Sequence, residues 1–168
     1  PGKHAGVQIT PGEQPIPNLK PATAQAKQSL ELGLLRTLNQ RHLKPRDSDK
    51  ALKARMSSFE TANGLQAEAP TIMDLSRESK STFELYGATP DDPTSYAAQV
   101  ILARRMIESG VRFVEVIDAV GACRDNWDAA HRDIASHEKY AKRVDQPAAA
   151  LIKDLKQRGL LDDVLIVF

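Results

Sequence analysis

Val111-Arg112-Phe113-Val114-Glu115-Val116-Ile117 decides the reading of the fold. The stretch alternates and is rich in β-branched side chains, which suits a pleated, half-buried strand. Val164-Leu165-Ile166-Val167-Phe168 reads as a second, fully apolar strand. Between the two, a polar helical pattern runs from about Ala129 to Arg143. Asp145 then caps a helix with Pro147 in its first turn, an apolar face of Ala148, Leu151, Ile152 and Leu155, and a stop at Gly159. Strand, helices and strand at this spacing predict a βαβ unit over residues 111–168, with parallel strands and a right-handed crossover. Parallel strands want cover on both faces, and two strands do not make a stable sheet. The terminal strand has no partner and no closing turn, so the chain is expected to be an internal piece of a larger α/β protein, truncated at both ends.

Upstream of this unit the pattern is helical. Residues 1–22 hold Pro1, Pro11, Pro15, Pro17 and Pro21 and read as an extended loop. From Thr23, Ala26, Leu30, Leu34 and Leu38 recur every four residues with Leu35 alongside, predicting a helix to about Leu43, closed by Pro45. A second helix, capped by Ser48 and stopping at Pro70, carries Leu52, Met56, Phe59 and Asn63 on one face. The pair reads as a helical hairpin over residues 23–69. Asp74 or Ser76 caps a shorter helix through Phe83 and Tyr86 that ends at Gly87. Residues 94–109 form another, with Tyr96, Val100, Ala103 and Ile107 inward and Gly110 as its stop. Helices therefore fill residues 74–109, and residues 23–168 read as one partial α/β domain.

Composition narrows the function classes. The chain has 168 residues, 41% of them apolar and 27% charged, which fits one globular domain and neither a disordered nor a membrane-embedded chain. Lys and Arg number 23 against 22 Asp and Glu, so no one-signed field is present to recruit nucleic acid. No apolar run approaches the roughly 20 residues of a membrane span. Cys123 is the only cysteine, which rules out a disulfide within these residues.

In open α/β sheets ligands bind beyond the carboxyl ends of the strands, so the residues after Ile117 are the first candidates. Asp118, Cys123, Asp125, Trp127, Asp128 and His131 crowd there. Asp128 and His131 are three positions apart and share one side of a helical turn, a spacing that suits a divalent cation such as Zn²⁺ or Mn²⁺. His137 is a further candidate if the chain bends. A structural reading of the same residues stands beside this one, with Asp125 or Asp128 capping the next helix, His131 and His137 solvated, and Trp127 in packing. Cys123 has no histidine at a fixed spacing to activate it.

Several stretches, in order, resemble a known family. They are Leu38-Asn39-Gln40-Arg41-His42-Leu43, Asp74-Leu75-Ser76-Arg77-Glu78-Ser79, Leu85-Tyr86-Gly87, the run from Leu102-Ala103-Arg104-Arg105 to Gly110-Val111-Arg112-Phe113-Val114, Asn126-Trp127-Asp128, and Leu151-Ile152-Lys153-Asp154-Leu155 through Arg158-Gly159 to Asp163. Together they resemble the bacterial family named domain of unknown function 1501. That resemblance implies an alkaline-phosphatase-like and sulfatase-like α/β/α sandwich with a metal-dependent hydrolytic site. It also implies a periplasmic or exported parent and a small-molecule or glycan ester of phosphate or sulfate as substrate. The family's Trp-Asp-x-His motif falls on Trp127, Asp128 and His131. One extra alanine, Ala129 or Ala130, separates acid and imidazole here, and on a helix an added residue turns a side chain by about 100°; His137 is then the reserve ligand. The Glu-Phe-Gly-Arg motif and the Asp-His pair of the family are not in these residues, so this piece alone is expected to be inactive. The competing expectation is a non-catalytic exported structural or interaction domain that keeps the fold without the chemistry.

Overall fold

The computed structural model describes residues 6–10, 15–17, 19–20, 23–46, 48–118, 127 and 134–168. These divide into two compact units, residues 1–71 and 72–168.

In the first unit, α1 spans Gln25–Leu43 and continues into a 3₁₀ turn at Lys44–Arg46 that contains Pro45. α2 spans Lys50–Met73, and its cap is Asp49, whose Oδ1 accepts from the Leu52 amide at 2.9 Å, rather than Ser48. Pro70 lies inside α2 instead of ending it. The Gln28 amide donates to Gln66 Oε1 at 2.9 Å and Arg36 pairs with Glu60 at 3.3 Å, so α1 and α2 run antiparallel. The face of α1 that turns to α2 is thus partly polar. Its leucine stripe lies outside the hairpin, with Leu30 77% and Leu34 63% exposed.

In the second unit, side-chain caps explain the starts of the first 3₁₀ turn and of the two helices that follow it. The 3₁₀ turn Leu75–Arg77 is capped by Asp74, α3 at Lys80–Tyr86 by Ser79, and α4 at Tyr96–Glu108 by Ser95, each side chain accepting a backbone N–H. Gly87 closes α3 in the left-handed region at φ 69°, open to glycine at little cost. α5 spans Ser136–Gln157 as one helix, so Pro147 sits in its interior and Asp145 caps nothing, and it begins after Ala135 without a side-chain cap. Gly159, also at φ 69°, follows α5, and the Leu160 amide reaches back to the Leu155 carbonyl. A last 3₁₀ turn covers Leu161–Asp163.

α3, α4 and α5 enclose the core. Phe83 and Tyr86 come from α3, Ala97, Val100 and Ile101 from α4, and Ala150 from α5, with Leu151 and Val116 packed against them. Tyr86, Ile101 and Leu155 are all but removed from water, which contributes roughly 1.5–3 kcal/mol for each aliphatic side chain. Ile152, placed inward by periodicity, is 41% exposed, and the charged Asp154 takes a buried place on that face instead.

The expected α/β/α sandwich is overturned, because among the described residues the chain is helical and contains no β-strand, no sheet and no βαβ unit. Residues 111–117 and 164–168 lie outside the helices and form no backbone ladder. Extended geometry is present, as at Val164 (φ −121°, ψ 119°), but a strand is defined by pairing, and neither segment pairs. The alternation reports one-sided burial instead. Val114, Val116, Val164 and Ile166 are half-buried, while Phe113, Ile117, Leu165 and Val167 face water.

Candidate functional site

Two charged clusters organise the second unit, and their chemistry differs. The first is closed. Arg104 is 2% exposed at the centre of α4, with Nη2 donating to Glu78 Oε2 at 2.7 Å and Nη1 to Glu108 Oε2 at 2.6 Å. Its Nε lies 3.1 Å from Asp154 Oδ2, an ion-pair distance without hydrogen-bond geometry. Arg105 donates to Glu78 Oε1 and to the Ile72 carbonyl, each at 2.6 Å. Arg158 reaches Asp154 Oδ1 and Glu108 Oε1, each at 2.7 Å, and the Tyr86 hydroxyl donates to Asp154 Oδ2 at 3.0 Å. Arg104, Arg105 and Arg158 thus balance Glu78, Glu108 and Asp154. Burial alone would raise the Glu78 carboxyl, but hydrogen bonds from Arg104 and Arg105 outweigh it and hold the group below its ordinary value. Burial and the Asp154 charge push the Tyr86 phenol upward, so it stays a donor. A network this well matched holds α3, α4 and α5 together and offers little to a ligand.

The second cluster is open. Asp118 follows the extended segment, and its Oδ2 accepts from Arg143 Nη2 of α5 and from the Trp127 indole N–H, both at 2.8 Å. The Arg143 guanidinium lies 5.2 Å from the centre of the Tyr140 ring. Trp127 packs at a tilt against Tyr140, ring centres 5.7 Å apart, and against His137 at 6.1 Å. Asp118 Oδ1 and Arg143 Nε are buried without a hydrogen-bond partner among the described residues, as is Arg104 Nε in the first cluster. Beside this cluster lies a cleft of about 380 Å³, bounded by the loop before α4, the first turns of α4, Asp118 and the middle of α5. Burial and the Asp118 charge raise the Tyr96 phenol, which lines the cleft and keeps its proton.

His137 sits in the first turn of α5, half-buried, with Nδ1 3.2 Å from the Ile134 carbonyl oxygen. In the tautomer that donates from Nδ1, the Nε2 lone pair is available to a metal, the arrangement that metal-bound imidazoles commonly use. Asp128 and His131, with Cys123 and Asp125, lie outside the described residues. Among the described residues, no group of three or more His, Cys, Asp or Glu side chains is placed to hold a metal ion. No helix among them is long and apolar enough to cross a membrane.

A family model described as "Protein of unknown function (DUF1501)" matches residues 1–168. The chain belongs to this family. No curated protein and no solved structure matches the chain. For this DUF1501 chain the stretches that carried the resemblance acquire a physical role: Glu78, Tyr86, Arg104, Arg105, Glu108, Asp154 and Arg158 come from them and build the closed network.

Sequence reasoning left Arg143, Tyr140 and Tyr96 out of the site and took Asp118 only as one carboxylate among several. A signal for the closed network was present, since Arg104 stands four residues after Val100 and three before Ile107, on the inward stripe of α4. A charge on an apolar stripe calls for a buried partner. No comparable local signal marks Arg143, because its partner Asp118 is 25 residues away.

Proposed function

We propose that the chain is part of a metal-assisted hydrolase of phosphate or sulfate esters, exported or periplasmic in its setting, with Asp128, His131 and His137 as metal ligands. The observation that carries this reading is the open cluster. Trp127, the residue before Asp128 in the sequence, bridges Asp118 and His137 beside a cleft that Arg143 also lines. When bound, a divalent cation supplies Lewis-acid stabilisation of charge on the transferred group and lowers the pKa of a coordinated water. The chain's own part is to hold His137 by its Nδ1 contact and to fix Trp127 through Asp118, while Arg143 neutralises the buried carboxylate.

The test is metal analysis of the full-length protein with hydrolysis of aryl phosphate and aryl sulfate, for the wild type and for Asp128→Ala and His137→Ala. Bound zinc or manganese and ester hydrolysis are expected in the wild type, with both reduced in each variant. Equal metal content in wild type and Asp128→Ala would remove Asp128 from the site.

A second reading, a non-catalytic interaction domain, draws its support from α1, where Leu30, Leu34, Leu35 and Leu38 are all about half exposed or more. A full-length protein that purifies without metal and hydrolyses neither ester would favour it.

A further inference from the structure

We propose that the cleft between the first turns of α4, Asp118 and the middle of α5 binds a neutral, polyhydroxylated small ligand, one sugar ring in size. Its volume, about 380 Å³, lies within the range of small-molecule sites.

Charge selects against an ionic ligand. Two acids, Asp92 and Asp118, and two bases, Lys142 and Arg143, are among the residues that line the cleft. Lys142 is engaged by Glu138 at 2.6 Å and Arg143 by Asp118 at 2.8 Å. Among the described residues the lining is therefore balanced, and a dianion meets no surplus of positive charge from them.

The unused hydrogen-bonding capacity is mixed. Gln99 spends Nε2 on the Thr94 carbonyl, and Gln146 spends Nε2 on the Glu84 and Leu85 carbonyls, which leaves both Oε1 atoms as acceptors. The Tyr96 hydroxyl has no hydrogen-bond partner among the described residues and both donates and accepts. Arg143 commits Nη2 to Asp118 and retains donors on Nη1. A carboxylate or a fully ionised phosphate ester, acceptor only, would oppose the Gln99 and Gln146 oxygens. An apolar ligand would leave all these groups without partners. Hydroxyl groups, each donor and acceptor at once, satisfy both kinds, and the half-buried Tyr96 ring adds an apolar surface for the C–H face of a sugar.

The inference deepens the hydrolase reading by naming a sugar as the alcohol half of the ester, and in that role it rests on that reading. Binding itself does not depend on it. The test is saturation-transfer NMR on the full protein with the methyl glycosides of glucose, galactose and mannose, and with inorganic phosphate and sulfate in separate arms. At least one glycoside is expected to bind at about 10 mM or below, a weak but specific affinity. Tyr96→Phe and Gln99→Ala, at unchanged melting temperature, are each expected to weaken it roughly three- to tenfold, the effect of one neutral hydrogen bond. Absence of glycoside binding, binding untouched by both substitutions, or binding of phosphate or sulfate alone would overturn the proposal. Metal content and aryl ester hydrolysis on the same preparation separate the two readings. Metal and hydrolysis without glycoside binding sink the sugar site alone, and glycoside binding without metal or hydrolysis sinks the hydrolase reading alone.

Discussion

Glu78 sits between two guanidiniums, with one carboxylate oxygen on Arg104 and the other on Arg105, and its side chain is 7% exposed. Held below its ordinary value of 4.5, it favours the folded state wherever it is ionised. The sign follows: a depressed carboxyl contributes stability that is complete above its ordinary value and is lost as pH falls through its lower, folded value. Glu78→Gln keeps the shape and removes the charge, leaving Arg104 with a weaker partner. At neutral pH it is expected to destabilise the protein by on the order of 2 kcal/mol. That gap should shrink as pH falls below about 4.5, because the wild-type carboxyl becomes neutral as well. Urea denaturation of both proteins between about pH 7 and pH 3 reads the gap, and a gap that stays constant across that range would show that Glu78 is not the titrating group.

At the scale of the element, what was legible in the sequence was local. The four-residue spacing of leucines marks α1, and Gly87 and Gly110 mark the ends of α3 and α4, because each involves atoms within a turn or two of chain. Reading the sequence does not single out the caps Ser79 and Ser95, and Asp74 caps the 3₁₀ turn before α3 instead. Strand pairing is not local, so the alternation in residues 111–117 disclosed which side is buried and nothing about a neighbour. α5 likewise runs through Pro147, where an isolated proline is expected to cost about 3 kcal/mol. Tertiary anchors flank that break: Arg143 is tied to Asp118 on one side, and Asp154 to Tyr86 and Arg104 on the other. Gly87 shows the same dependence on a distant partner. A Cβ added there would stand 2.7 Å from Gln146 Oε1, the amide that ties α5 to the end of α3. Gly87→Ala is expected to cost about 2 kcal/mol, part from left-handed backbone strain and part from displacing Gln146. In a Gln146→Ala background the second part vanishes, so the same substitution should cost measurably less in a double-mutant cycle; equal costs in both backgrounds would leave backbone strain as the whole effect.

For the whole molecule, the decisive contrast is between apolar residues that touch a core and those that do not, which composition cannot separate. Ile101, at 0% exposure, lies within the cluster enclosed by α3, α4 and α5, whereas Leu34 and Leu38, at 63% and 49%, face solvent on α1. Periodicity grouped these leucines correctly on one stripe, but a stripe carries no record of what covers it, and the α1–α2 hairpin uses a different face. The candidate site was legible to the same degree: a region rich in carboxylates and histidines was visible, while Arg143 and Tyr96 reach it only through folding. Hydrophobicity and burial therefore make opposite forecasts for α1. If burial governs, Leu34→Lys and Leu38→Lys should each change unfolding free energy by no more than about 0.5 kcal/mol, while Ile101→Ala should cost about 2–5 kcal/mol through lost contacts and a cavity. Equilibrium denaturation of the three variants decides between them. A lysine substitution on α1 that destabilises as much as Ile101→Ala would mean the leucine face is covered in the folded protein.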